Sequence, residues 1–259
     1  MSVLQLGTLE KAEKVLGLYT SSSESLSFSE IVDRTGLEKG SVQRLLFTLQ
    51  NLGFLRKHQR YKRYSLSPRF ISYAVSYCQS DPLLQRAPER LEVLARQTTE
   101  AVSICLMDGI HVFYLTRIAN LAQRLFALQP TRHYAYCTAG GRAILSCLQD
   151  EEVRRILAAS QMRRLTSETI IDPDEIRTLL ELYRREGLAW QDGEVHLDEL
   201  GLAAPIIGER DLPVGAVVMS IRKDKHNLDE AKRLFGAMVQ TAARDLSSQA
   251  LSASQLGAA

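Results

Sequence analysis

Residues 36–53, GLEKGSVQRLLFTLQNLG, constrain the fold more than any other stretch of the chain. Val42, Leu45, Leu46, Leu49 and Leu52 recur at helical spacing and make one apolar stripe. Gly40, Gln43, Arg44, Phe47 and Asn51 fall on the opposite face. A surface helix ordinarily fills such a face with mixed charge, yet no carboxylate stands between Lys39 and Asn51. Just upstream, Ser27-Phe28-Ser29-Glu30 has the spacing of a capping box, and Gly36 suits the left-handed residue that ends a helix. Helix, glycine turn, then a second helix with a polar outer face is the arrangement of a helix-turn-helix. A helical hairpin in some other small bundle satisfies the same spacing, so the stretch alone leaves both readings open.

The flanks favour the first. Thr8 can cap an earlier helix with Leu9, Ala12, Val15, Leu16 and Tyr19 as its buried face. After Gly53, Phe54–Arg56 and Tyr64–Leu66 read as two short strands around a basic loop, the layout of a wing. Arg56, Lys57, Arg60, Lys62 and Arg63 lie there with Tyr61 and Tyr64 interleaved and no acid among them. Basic runs are commonly solvated faces, but this one adjoins a candidate recognition helix, which suits contact with phosphates. Charge divides the same way: residues 1–70 hold eleven Lys and Arg against six Asp and Glu, leaving the remainder at −3 of a net +2. A basic front and a mildly acidic back fit a nucleic-acid module joined to something else. The candidate DNA contacts are Lys39, Ser41, Gln43, Arg44, Phe47, Arg60, Lys62 and Arg63.

Further on, Pro68 opens a helix carrying Phe70, Tyr73, Ala74 and Tyr77, and another runs from Leu83 to Gln97. A boundary falls near residue 80. Beyond Glu100 the period changes to that of strands. Ala101–Met107 and His111–Arg117 flank an Asp-Gly turn, and Gln123–Leu128 predicts a third strand. Helices are expected at Gly141–Leu148, Glu151–Ala158 and Pro173–Glu186, and strands at Leu188–Gln191, Gly201–Ile207 and Val214–Ile221. An amphipathic helix at Leu228–Leu246 closes the chain, with a frayed tail from Ser247. The pattern is α+β: a winged helix-turn-helix (1–68), a linker helix (69–80), a sensor domain (81–250) and a flexible tail (251–259).

Chemistry is sparse. Cys78, Cys105, Cys137 and Cys147 form no CxxC pair and no metal-ligand spacing, and read as small hydrophobes in a reducing compartment. No signal peptide or transmembrane run is present, so a cytoplasmic location is expected. Asp192, Glu194, His196, Asp198 and Glu199 cluster in one run, which suits a solvated loop better than a metal site. There is no GxSxG elbow, HExxH or P-loop, so no cofactor and no catalytic residue is expected. The loop Tyr136–Ala143, with Gly140 and Gly141, runs into a helix. Its first amides can hold an anion, or its glycines can let a helix pack close to a sheet.

Taken in order, TLEKAEKVLGLY, SFSEIVDRTGLEKGSVQRLLFTLQNLGFLRK, YSLSPR, CTAGGRAIL, REGLAW, DGE and GLAAPI resemble the IclR-type bacterial transcriptional regulators over nearly the whole chain. The resemblance implies a GAF-like, antiparallel-sheet sensor domain that binds a small metabolite, a homodimer or homotetramer, and double-stranded operator DNA as the partner. It places the effector against Leu125, Ala139, Gly140, Gln191, Gly201, Val218 and Ser220. Two departures stand out: Asp198 where many members have glycine, and apolar Val218 where some members carry a hydroxyl. The polar balance of that set favours a compact carboxylic acid, aromatic acids included, over a sugar or nucleotide. The rival reading is an enzyme in residues 81–250 with the front as a targeting module; no nucleophile, base and oxyanion donor assemble to support it. A DNA binder without a ligand is the third.

Overall fold

In the computed structural model, which describes residues 6–19, 25–118 and 131–256, the chain divides between Ser80 and Asp81 into two units. The first consists of α1 (Gly7–Gly17), β1 (Leu26–Ser27), α2 (Phe28–Thr35), α3 (Lys39–Asn51), β2 (Leu55–His58), β3 (Arg63–Leu66) and α4 (Arg69–Ser80). The capping box forms: Glu30 N donates to Ser27 Oγ at 3.3 Å and Ser27 N to Glu30 Oε2 at 2.7 Å. Gly36 ends α2 at φ 66°, which glycine adopts without a Cβ penalty. Val15, Ile31, Val42 and Leu46 make the centre of the core, and β3 pairs with both β2 and β1. The α1 helix differs from expectation in two ways. Leu6, not Thr8, is its N-cap, and Leu9 stays 66% exposed because the core begins one turn later, at Ala12 and Val15. Leu52 is likewise exposed, beyond the last turn of α3.

The second unit comprises α5 (Pro82–Thr98), β4 (Ala101–Asp108), β5 (His111–Ile118), β6 (Thr131–Tyr134), a 3₁₀ turn (Ala135–Cys137), α6 (Ala139–Leu145), α7 (Asp150–Ala159), α8 (Pro173–Glu186), β7 (Ala189–Asp192), β8 (Glu199–Ile207), β9 (Pro213–Arg222) and α9 (Leu228–Leu256). The strands form one antiparallel sheet in the order β6-β5-β4-β9-β8-β7. One face buries Cys105, Ala203, Ala216 and Val218 with Ala139, Ala143 and the inner sides of α7 and α8. Side chains alternate across a strand, so Ile104, Leu202, Ala204, Val217 and Met219 lie on the other face, where α5 packs on β4 and α9 on β8 and β9. This is an α+β architecture with a helix-turn-helix unit ahead of an antiparallel sheet.

The expected strand at 123–128 lies outside the described residues. A short strand, β6, follows it and pairs with β5, which the sequence pattern did not reveal. The closing helix also continues past Leu246 to Leu256 rather than fraying from Ser247. Ser247 helps hold it: its hydroxyl donates to Ala243 O and accepts from Ile207 N, both at 2.8 Å. On this helix Leu234 is 47% exposed, and Ala231, Val239 and Ala243 are buried.

Candidate functional site

The α3 helix buries Val42, Leu45, Leu46 and Leu49 and turns Lys39, Gln43, Arg44, Phe47 and Thr48 to solvent, with Ser41 half-buried at the edge. Phe47 is 67% exposed, an unusual place for an aromatic with no folding role. In the wing, Arg60, Tyr61 and Lys62 form the exposed tip, with the Arg60 guanidinium 5.5 Å from the centre of the Tyr61 ring. Lys62 sits at φ 49°, the left-handed residue of the turn. Arg63 is different from its neighbours. Its Nη2 donates to Ser25 O at 2.6 Å and lies 3.0 Å from Glu30 Oε2. That ties the wing to the start of α2, so the structure places Arg63 against Ser25 and Glu30 and not at the tip with Arg60 and Lys62.

The second unit encloses a cavity of about 350 Å³ on the α6 side of its sheet. Register explains which side chains meet there. Ser103 pairs with Val218, Ser220 with Gly201, Tyr114 with Thr131 and Val112 with His133. Antiparallel partners point to the same face, so these residues share one surface. Tyr114 stands opposite Cys105, which is on that same face, and so joins it. Thr138 and Ala139 at the start of α6 line one wall; Val195 and His196, from the loop between β7 and β8, line another. Burial, with Cys105 beside it, pushes the Tyr114 phenol well above its usual range, so the hydroxyl remains neutral and hydrogen-bonding. Burial, then repulsion from His196, pushes the His133 imidazole below its usual value.

Of the sequence-derived effector set, Ala139, Gln191, Gly201, Val218 and Ser220 line this cavity. Leu125 lies outside the described residues. Gly140 does not line it. A Cβ there would sit 2.8 Å from Val218 Cγ2 and closer still to Cys105 Sγ, so this glycine lets α6 lie on the sheet. The amides after Thr138 are also partly committed: Gly141 N donates to Thr138 Oγ1 at 3.1 Å. Gln191 is engaged too, accepting Glu194 N at 2.8 Å and donating to Glu199 O at 3.4 Å. Residue types alone could have flagged Ser103, Tyr114 and His133, but only pairing across the sheet brings them together.

The acidic run 192–199 is not a solvated loop throughout, as the sequence suggested. Glu194 is 3% exposed and makes a two-armed ion pair with Arg142 of α6, itself 1% exposed; the Nη2–Oε2 arm measures 2.7 Å. Arg142 Nε donates to Tyr136 O at 2.7 Å, and Glu194 Oε2 also accepts Ile170 N at 3.0 Å. Asp192 pairs with Lys223 instead. The run therefore bends around a buried pair that anchors the loop carrying Val195 and His196. No group of metal-ligating side chains occurs among the described residues. Burial raises Cys105 and Cys137 to about 12, so neither is a thiolate.

A winged helix-turn-helix with an exposed polar face on α3, in one chain with a sheet unit enclosing a small cavity, defines a ligand-responsive, DNA-binding transcriptional regulator. The chain belongs to the IclR family: residues 8–59 match the IclR helix-turn-helix domain and residues 75–248 the bacterial transcriptional regulator IclR C-terminal domain. The Pca regulon regulatory protein of Pseudomonas putida is 26% identical over 245 residues, covering 93% of this chain and 83% of that protein. A crystal structure of an IclR transcriptional regulator from Silicibacter sp. superposes with a TM-score of 0.82 at 25% identity, over 94% of this chain and 96% of the other. An IclR homologue from Microbacterium hydrocarbonoxydans, crystallised with 4-hydroxybenzoate, gives 0.72 at 18% identity, over 93% and 98%. Proteins of this family are transcriptional regulators. No helix among the described residues is long and apolar enough to cross a membrane.

Proposed function

We propose that this regulator senses a compact aromatic carboxylic acid in the cavity beneath α6 and reads its operator with α3 and the wing tip. The cavity carries the sensor reading. At about 350 Å³ it lies at the small end of the range of roughly 300–1,000 Å³ for ligand sites, which suits a single ring and not a nucleotide. Hydroxyls of Ser103, Tyr114, Thr138 and Ser220 supply directional polar contacts, and Val195, Ala139 and Val218 supply apolar cover. The M. hydrocarbonoxydans homologue was crystallised with 4-hydroxybenzoate, which favours an aromatic acid. On the DNA side, Gln43 and Arg44 offer the amide and guanidinium that read base edges, while Arg60 and Lys62 meet phosphates. A homodimer fits as well. The α4 helix buries no residue and exposes Ile71, Tyr73, Val75 and Tyr77, and an apolar groove lined by Leu9, Leu16, Leu45, Leu52 and Phe70 runs along α1 and α3.

Titration calorimetry of the purified protein against 4-hydroxybenzoate, a hexose and a nucleoside monophosphate tests the ligand class. The acid is expected to bind, and preference for the hexose or nucleotide would refute the assignment. Gel-shift titrations on a genomic fragment selected by the protein should then move when the acid is present. A ligand shifts an equilibrium only through different affinity for its states, so saturation without any change in DNA affinity would refute coupling. On that fragment Arg44→Ala should cost about 1–3 kcal/mol and scarcely affect random DNA. Equal losses on both would make Arg44 a phosphate contact.

A further inference from the structure

We propose that His133 and His196 form the carboxylate-receiving end of the cavity and that effector binding takes up a proton there. The inference rests on the aromatic-acid reading above and assigns the ends of that same site.

Among the described residues, the cavity lining contains no Lys or Arg. Among the described residues that line it, the side chains able to become cationic are His133, on β6, and His196, on the loop between β7 and β8. Their rings stand edge to face with centroids 6.5 Å apart, and His133 also meets the Tyr114 ring edge-on at 5.7 Å. An anion entering a site with few charges needs a cation or several donors, because an uncompensated buried charge is costly. The helix start that might have served is partly used, since Gly141 N is bonded to Thr138 Oγ1 and the Tyr114 hydroxyl lies against Thr138 and the Gly140 backbone. The imidazoles remain.

Position in the sheet orients the ligand. His133 on β6 stands opposite Val112 and, through it, Met107, so Ser103 on β4 is two strands inward and four residues along, roughly 16 Å between backbones at ordinary strand dimensions. A benzene ring between them puts a carboxylate at the histidines and a para substituent toward Ser103 and Ser220. The other titratable groups facing His133 are Tyr114 on β5 and Glu199 on β8. Tyr114 is held neutral, so it neither gives nor takes a proton. Glu199 opposes an anion, and its replacement serves as the control below. Arg132, next to His133 in sequence, reaches His111 instead, at 2.9 Å. Burial and His196 keep His133 below its usual pKa, hence neutral at pH 7.5. A carboxylate beside it raises that value, and the pair then takes up a proton with the ligand.

The test is calorimetry of the full-length protein with 4-hydroxybenzoate in phosphate and in Tris, buffers of unlike ionisation enthalpy. We expect about one proton taken up per ligand at pH 7.5, and affinity falling by up to about tenfold per pH unit above neutral. The amide 4-hydroxybenzamide, of the same shape without charge, should bind at least about ten times more weakly. Uptake should vanish in His133→Gln and persist in Glu199→Gln. Binding of 4-hydroxybenzoate without proton uptake, equal affinity for acid and amide, or uptake lost only in Glu199→Gln would overturn the inference and leave the aromatic-acid reading intact. Failure of the acid to bind at all would overturn both. The buffer and amide comparisons use the unaltered protein, so a misfolded variant does not blunt them.

Discussion

Glu194→Ala isolates the buried ion pair. It removes the acceptor for two arms of the Arg142 guanidinium, which is 1% exposed, and leaves Ile170 N without its carboxylate partner. Deleting one member of a buried pair costs about 3–5 kcal/mol, because the survivor is a charge without compensation. Arg142 keeps the carbonyls of Tyr136 at 2.7 Å and Trp190 at 3.4 Å, which places the cost near the lower end, about 3 kcal/mol. For a unit of this size a kilocalorie moves Tm by about 2–4 °C, so the drop should be about 6–12 °C. Trp190 is the only tryptophan in the chain, packs on Tyr183 at 4.5 Å, and shares the site, so its fluorescence in a thermal ramp reports this unit. A drop below about 3 °C would refute the argument. The double variant Arg142→Met/Glu194→Leu should recover most of the loss, since apolar replacement of a buried pair is often neutral. If it unfolds as early as the single variant, the carbonyl contacts of Arg142 matter more than the pair.

The wing separates into two roles. Arg60→Ala and Lys62→Ala should each lower the salt slope of DNA binding by about one, whereas Arg63→Ala should leave the slope unchanged and lower the stability of the N-terminal unit, read by hydrogen exchange of its amides. Gly140→Ala should destabilise the second unit by about 1–3 kcal/mol through overpacking against Cys105 and Val218, measured as Trp190 fluorescence in urea; an unchanged midpoint would mean that α6 can shift freely. The Glu30 carboxyl is held down from 4.5 to about 2, first by the Ser27 amide, then by its hydroxyl and by Arg63. A depressed acid stabilises the fold above its unfolded pKa and loses that contribution as pH falls toward its folded one. The Ser27 amide resonance should therefore titrate near pH 2, and a midpoint near 4.5 would show that the capping box is not formed in solution.

The helix-turn-helix was legible because its signals are local. A capping box closes over three residues, Gly36 relieves a single backbone angle, and the apolar stripe of α3 repeats every turn, so each is complete within a short window. The same holds for the β4–β5 hairpin, set by one Asp-Gly turn with Gly109 at φ 60°. The cavity was only half legible. Ala139, Gln191, Gly201, Val218 and Ser220 were placed by resemblance, while Ser103, Tyr114 and His133 join them only through strand pairing, and His196 through the loop that Glu194 anchors, none of which a local pattern specifies. Gly140 carried two meanings in the sequence, and the distance from its missing Cβ to Val218 chose close packing over ligand access. Arg63 and Glu194 looked like surface charge because a charged residue reads as exposed until its partner is known. Those partners stand 33 and 52 residues away, and burial of a charge is decided by what the completed fold brings against it.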